Sequence, residues 1–266
     1  MKYSSVATLF LILCSCSQPR YIYNPPARNL HYFTEKGEGV VSASWSTGPS
    51  RNYDAGSENY NHGADIQTAY AVSQHWAITA AFHQRRERDN ITNYSTVIRT
   101  YSDITYKRSG WEFGGSYFIH LDNQQITFFY VDGGIGLSRN QLDDLSIIDS
   151  VNLQRYFNNK SARFFAQPGI YTGSKNFRFN LGLRFQYSRF SHQETNYLQP
   201  ELVLYSLDGL NDIMTYEPYF AFRIGIPSFP WIKADMQVGT ASINKGFYIR
   251  NSYATFGLSF YPFARK

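Results

Sequence analysis

Between residues 177 and 190 the chain reads FRFNLGLRFQYSRF. Phe177, Phe179, Leu181, Leu183, Phe185 and Tyr187 take every second place, with Arg178, Asn180, Arg184 and Gln186 among the residues between them. A period of two sets the apolar groups on one face of a β-strand and the polar groups on the other. Segments of this kind recur from Gly39 onward, and they predict strands over 39–47, 63–72, 75–85, 110–120, 125–137, 162–171, 177–189, 215–226, 231–242 and 252–261. No stretch carries a long apolar pattern at helical spacing. The links alternate in length: SQ, LDNQ, TGSKN and PSFP make short turns, the others are longer, and three exceed twenty residues. About ten antiparallel strands joined by short turns on one side and long loops on the other predict an all-β, up-and-down transmembrane β-barrel.

The two faces differ in kind. One parity collects Ile78, Phe82, Phe113, Tyr117, Ile135, Leu137, Phe220, Phe222, Ile224, Phe256 and Phe260. The other collects Asp65, Glu112, Asp132, Glu217 and Asp235 with Arg163, Arg178, Arg184, Arg223 and Lys233. A Lys or Arg facing lipid at the midplane costs about 2–4 kcal/mol, so the charged face is expected to line the lumen. Five acids against five bases predict a paired, plugged interior, since buried charges need partners. Pro168 and Pro218 lack a ladder donor and suggest bulges or membrane-edge positions.

Composition sharpens this. Of 266 residues, 18% are aromatic, with 22 Tyr and 21 Phe. Mean hydropathy is only −0.39, as expected where lumen-facing and lipid-facing residues alternate along each strand. A net charge of +5 without a long basic run argues against nucleic-acid binding.

The N-terminus, MKYSSVATLFLILCSCSQ, has one Lys and then an apolar run too short to span a bilayer as a helix. Its Leu13-Cys14-Ser15-Cys16 resembles a bacterial lipobox, which implies a signal peptide over 1–15 and an acylated, palmitate-bearing Cys16 as the first mature residue. An ordinary secretory signal is the alternative. Residues 16–38, with Pro19, Pro25 and Pro26, read as an extended tether, and 39–266 as the barrel. A tether of this length spans at most about 70 Å, enough to join an anchor to a neighbouring barrel. The loop pattern puts both termini on the periplasmic side. Thr255–Phe263 resembles the C-terminal signal of outer-membrane barrels, from which Pro262 departs. Together with EKGEG (35–39) and ADIQTAYAVSQHWAITAAF (64–82), the chain resembles outer-membrane β-barrel lipoproteins of the Bacteroidota type. That resemblance implies a place, the bacterial outer membrane, and no particular activity.

Candidate chemistry is sparse. The sequence has no G-x-S-x-G and no H-E-x-x-H, and its cysteines offer no metal set. Gly133-Gly134-Ile135-Gly136 sits in a strand, without the helix that would hold a phosphate. His83 shares the parity of Asp65 in one hairpin, and a carboxylate beside an imidazole near the outer mouth is the start of a general-base arrangement. No nucleophile can be placed beside the pair. The expected protein is therefore a noncatalytic outer-membrane lipoprotein without cofactor or metal, serving envelope structure or surface-loop binding. A rim hydrolase (protease or lipid deacylase), a narrow channel and a soluble periplasmic barrel are the competing readings. Expected partners are outer-membrane lipids, the barrel-insertion machinery during biogenesis, and lipopolysaccharide, whose phosphates Arg85, Arg86, Arg88, Arg99, Lys107 and Arg108 would meet.

Overall fold

The structure is a computed structural model that describes residues 20–28, 33, 35–48, 59–94, 99–122, 124, 126–148, 151–174, 176–226 and 228–262. The expected signal peptide and Cys16 lie outside the described residues. In chain order the elements are β1 (Tyr21–Tyr23), β2 (Gly39–Thr47), β3 (Tyr60–Ala71), β4 (Trp76–Tyr94), β5 (Arg99–His120), β6 (Phe128–Ile148), β7 (Val151–Gly173), β8 (Phe177–Thr195), α1 (Gln199–Leu204), β9 (Asp212–Ile226), β10 (Phe229–Thr240), β11 (Ser242–Ile243), β12 (Tyr248–Ile249) and β13 (Ser252–Phe260). Ten of them close a ring: β2 through β10 pair in sequence order, β10 pairs β13, and β13 returns to β2, each pairing antiparallel. A closed antiparallel ring leaves no unpaired edge.

Alternation decides which way each side chain points. Ile78, Phe113, Ile135, Leu137, Ile224 and Phe256 are each more than half exposed, whereas Asn180, Arg184 and Gln186 are buried. The outer surface is thus an apolar belt, and all four tryptophans (Trp45, Trp76, Trp111 and Trp231) stand on it. Trp76 opens β4 beside a short turn, and Trp111 lies opposite Phe82 six residues further up that strand. An exposed apolar cylinder edged with aromatics is the surface that a bilayer covers.

The strands outrun the expected ones at a single end. The ends joined by the short turns near 72–75, 121–127, 174–176 and 227–228 fall where the sequence put them. At the opposite, hairpin end, β4 to β8 run 19 to 23 residues, about twice what a tilted strand needs to cross a bilayer. Two links expected to be long loops are consequently strand. The apolar alternation stops there, since Arg85, Glu87 and Asp89 point inward while Arg86 points to solvent, and with it stops the sequence signal.

Neither Pro168 nor Pro218 sits in a bulge. At Pro168 the pairing with β8 lapses between Ala166 and Gly169 without a change of register. Pro218 lies one residue past the end of the β9–β10 ladder and keeps its place opposite Leu183 in the β8–β9 ladder without a change of register. Pro262 follows the end of β13, after Tyr261 has turned its ring inside.

Candidate functional site: a lumen filled by the chain itself

Eight strands enclose an interior just filled by their side chains, so a ten-stranded ring leaves extra room. Residues 20–28 occupy it. The segment expected as a tether outside the barrel lies buried along the lumen from Arg20 to Arg28, and Phe33 is buried further down. Its sequence suits the place: Pro25 and Pro26 carry no N–H group that would need a partner inside. The remaining backbone is engaged from the wall. Arg28 N–H donates to Gln237 Oε1 at 2.8 Å, and Gln237 Nε2 donates back to Arg28 O at 2.9 Å. Gln67 donates to Ala27 O at 2.9 Å, and Arg250 N–H donates to Tyr23 O at 2.8 Å. The short β1 pairs in parallel with β12.

Direction follows from these contacts. At the turn end Phe33 packs with Val40, Phe118, Phe128, Tyr171 and Tyr261. At the hairpin end Tyr21 and Ile22 pack with Ile104, Tyr106, Leu142, Phe157 and Phe190. Arg20 and Tyr261 therefore lie at opposite ends of the barrel; the two chain ends themselves, expected on one side, lie outside the described residues.

Between the two apolar seals the lumen is ionic. Among the described residues, eight arginines and eight carboxylates are buried, and two of those arginines, Arg20 and Arg28, belong to the inserted segment. Counting these alone, the wall has six arginines to its eight carboxylates and the segment brings the other two cations; the partly buried Arg178 and Lys233 of the wall add two more at the turn end. Arg28 pairs with Glu217, both side chains fully buried. Glu217 also accepts from Tyr23 Oη at 2.8 Å and Thr215 Oγ1 at 2.7 Å. Arg20 meets Asp144 at 2.6 Å, and Tyr197 Oη donates to the same oxygen at 2.6 Å. This cluster stands beyond the apolar belt. Burial there works to lower the Arg20 pKa, but Asp144 and the surrounding tyrosines outweigh it and hold the pKa above its usual value. Burial also raises that of Tyr197.

The lumen charges named from sequence form separate clusters. Glu112 receives a fork from Arg184 at 3.0 and 2.7 Å, and Arg163 stands 3.5 Å away. Arg223 pairs with Asp235 and reaches Tyr261 and Ser259. Asp132 accepts from Gln167 at 3.2 Å. Arg178 and Lys233 are only partly buried at the turn end, where Lys233 Nζ lies 4.7 Å over the Tyr261 ring. Sequence reasoning missed a further cluster: Arg108 and Arg250 both pair with Glu87, and Arg250 also pairs with Asp89 at 2.5 Å. Arg85 and Arg108, expected as loop cations, point inward, with Arg85 2.9 Å from Asp65. The signal that could have found the segment is YIYNPPAR itself, an aromatic-rich extended stretch bracketed by arginines.

His83 and Asp65 face each other in register, as the sequence suggested. Their partners differ, however. Asp65 accepts from Ser46, Arg85 and the Ala27 N–H, while His83 Nε2 faces Arg163 Nη2 at 3.1 Å. Both are buried well below the mouth. The cavity beside His83 holds about 10 Å³ and is bounded by Ile22, Tyr23 and Asn24, which is space for one water and for no substrate. A rim site does not form from this pair.

Fold and lumen together define a transmembrane β-barrel occluded by its own N-terminal segment. No family model matches the chain, and no curated protein does. Among solved structures it is similar to Ail, the attachment invasion locus protein of Yersinia pestis, with 13% identity and a TM-score of 0.31 over 85% of this chain and 98% of that one. It is also similar to OprG from Pseudomonas aeruginosa, with 8% identity and a TM-score of 0.37 over 86% and 98%. An outer membrane channel from Pseudomonas putida F1 gives 8% identity and a TM-score of 0.37 over 88% and 100%. Likeness at this level transfers neither activity nor ligand.

Proposed function

We propose that the protein is a noncatalytic outer-membrane β-barrel lipoprotein, anchored through Cys16, whose lumen is permanently sealed and whose raised hairpins do its work at the cell surface. The observation that carries this reading is the inserted segment. Residues 20–28 fill the space through which solute would pass, and their two arginines pair with Asp144 and Glu217 of the wall. A conducting pore needs an open path, and a hydrolase needs a cleft, and this lumen supports neither.

The same segment supports a polarity. Longer connections face outward in outer-membrane barrels, so the hairpin end is assigned to the exterior. Cys16 precedes Arg20 by four residues, a reach of about 14 Å. Arg20 pairs with Asp144, sixteen residues above Phe128 at the foot of β6, which is about 40 Å along the barrel axis at the usual strand rise and tilt. Acyl chains on Cys16 therefore fall short of the turn-side leaflet and belong to the outer one.

Two measurements test this. In planar bilayers the intact protein is expected to give no steady current, and deletion of residues 20–28 to open one; large stable currents from the intact protein would sink the reading. On intact cells, an epitope placed after Ser17 should be accessible to antibody, and palmitate labelling should vanish in Cys16→Ala. An epitope reached only after the membrane is permeabilised would overturn the polarity.

A further inference from the structure

Five adjacent strands each carry one exposed cation on the outer face at the upper edge of the apolar belt: Arg86 on β4, Lys107 on β5, Arg139 on β6, Lys160 on β7 and Arg189 on β8. On each strand the cation stands ten or twelve residues above the lowest outward apolar residue, respectively Trp76, Ile119, Phe129, Ile170 and Phe177. With strand rise and tilt this is about 25–30 Å, the height of the hydrocarbon layer, so all five meet one headgroup plane. The strands β9, β10, β13 and β2 place no such cation, and the row is a one-sided arc.

The pairing makes the row costly in isolation. Arg86 lies directly opposite Lys107, and Arg139 directly opposite Lys160. Like charges facing each other across a ladder are destabilising. Carboxylates nearby offer little relief. Asp143 comes no closer than 3.9 Å to Lys107 Nζ, with both side chains about half exposed. Asp103 is held by Arg88, and Asp212, opposite Arg189, lies 2.9 Å from Lys245 Nζ. Two like-charged pairs set side by side over lipid-facing Trp111, Leu137 and Phe164 are matched by an anion that arrives with the membrane.

We infer that this arc binds the phosphate groups of anionic lipids in the hairpin-side leaflet, fixing the tilt of the barrel and gathering such lipids along one flank. The inference needs the belt to lie in a bilayer; it needs neither the sealed lumen nor the Cys16 anchor, so failure of those readings leaves it standing.

The test is native mass spectrometry of the full protein released from phosphatidylcholine vesicles doped with a phosphorylated glycolipid or with its dephosphorylated form. Wild type is expected to retain the phosphorylated form at least about tenfold better, given the contribution of each basic residue near an anionic surface. Arg139→Gln with Lys160→Gln should remove most of that preference, and adding Arg86→Gln with Lys107→Gln the rest. Arg88→Gln, whose partner is Asp103, should leave it unchanged. Heat-modifiable gel mobility identifies folded variants, and the Arg139/Lys160 double variant serves if the fourfold one fails to fold. Equal retention of the two lipids by wild type, or a preference that survives both substitutions, overturns the inference. So does displacement of the lipid by inorganic phosphate or by a sulfated polysaccharide at comparable concentration, which would mark a site for soluble anions.

Discussion

The Arg28–Glu217 pair is the sharpest place to test whether the inserted segment is structural. Replacing Arg28 by Leu removes one of two fully buried partners and leaves Glu217 inside with only neutral donors, Tyr23 at 2.8 Å and Thr215 at 2.7 Å. Breaking a buried pair in this way costs about 3–5 kcal/mol. The two hydroxyls still solvate the carboxylate, which puts the expected loss near the lower end, about 3 kcal/mol. The Arg28→Leu, Glu217→Leu double variant removes both charges and should recover most of that loss, because an apolar pair of similar volume is often no worse than a buried ion pair.

Urea unfolding from detergent micelles, followed by fluorescence of the four belt tryptophans, reads this directly. With a slope of about 1–3 kcal/mol per molar urea, the single variant should unfold about 1–3 M earlier than wild type. A current appearing with the single variant and absent in the double would show the segment leaving the lumen when its charge is unmatched. An unchanged midpoint, or a double variant as weak as the single one, would refute the claim that segment and wall are locked by complementary charge.

Other expectations follow from the same geometry. Ile135→Arg places a cation near the middle of the belt and should destabilise by about 2–4 kcal/mol, whereas the same change at solvent-facing Asp143 should be within about 0.5 kcal/mol; unfolding midpoints in bilayers distinguish the two. Gly182 stands opposite Tyr219, and a Cβ there would lie 2.5 Å from that ring, so Gly182→Ala should cost about 1–3 kcal/mol by overpacking the turn-end seal, with equal stability counting against it. Asp122 accepts the N–H groups of Ile126 and Thr127 at 2.8 and 2.7 Å, and these bonds hold its pKa below the ordinary 3.8. A lowered carboxylate pKa contributes stability above the unfolded value and loses it as pH falls through the folded one. Amide exchange of Ile126 and Thr127 should therefore be protected at pH 6 and lose protection only below about pH 4, and Asp122→Ala should abolish the difference.

Sequence patterning revealed the barrel because lipid imposes it. Where a strand has acyl chains on one side and charged lumen on the other, as over 177–187, every residue declares its face, and β2 falls on 39–47 as expected. At the upper edge of the belt the outer face turns polar as well, so Arg85 and Arg86 look alike in sequence although one is buried and the other exposed. The lumen was legible as charged but not as occupied. Alternation assigns residues to a face of a strand, and a nine-residue segment with two consecutive prolines has no such period. Its place is set by hydrogen bonds with residues 37 to 227 positions away, from Asn61 to Arg250. Charge counting offered no further handle: the five-to-five balance taken from the strands omitted Glu87, Asp89 and Asp144 but also Arg85, Arg108 and Arg250, so the completed wall still balances and does not by itself announce the segment.

Those long-range contacts constrain how the barrel can close. The segment precedes β2 in the chain and touches β3, β4, β5, β6, β9, β10 and the Tyr248–Arg250 stretch. These partners are spread from β3 to β10 and beyond, so the segment reaches all of them only when the sheet has curled around it. Threading a chain bearing Arg20 and Arg28 into a finished cylinder would drag both charges through the aromatic seal of Phe118, Phe128, Tyr130 and Tyr171, at the desolvation cost of unpaired ions. Closing the ring around a segment already laid along the open sheet avoids that barrier, because each arginine meets its carboxylate while water is still present. On that order of events the Arg20–Asp144 and Arg28–Glu217 pairs are the contacts that would hold the segment in register until the last strand arrives.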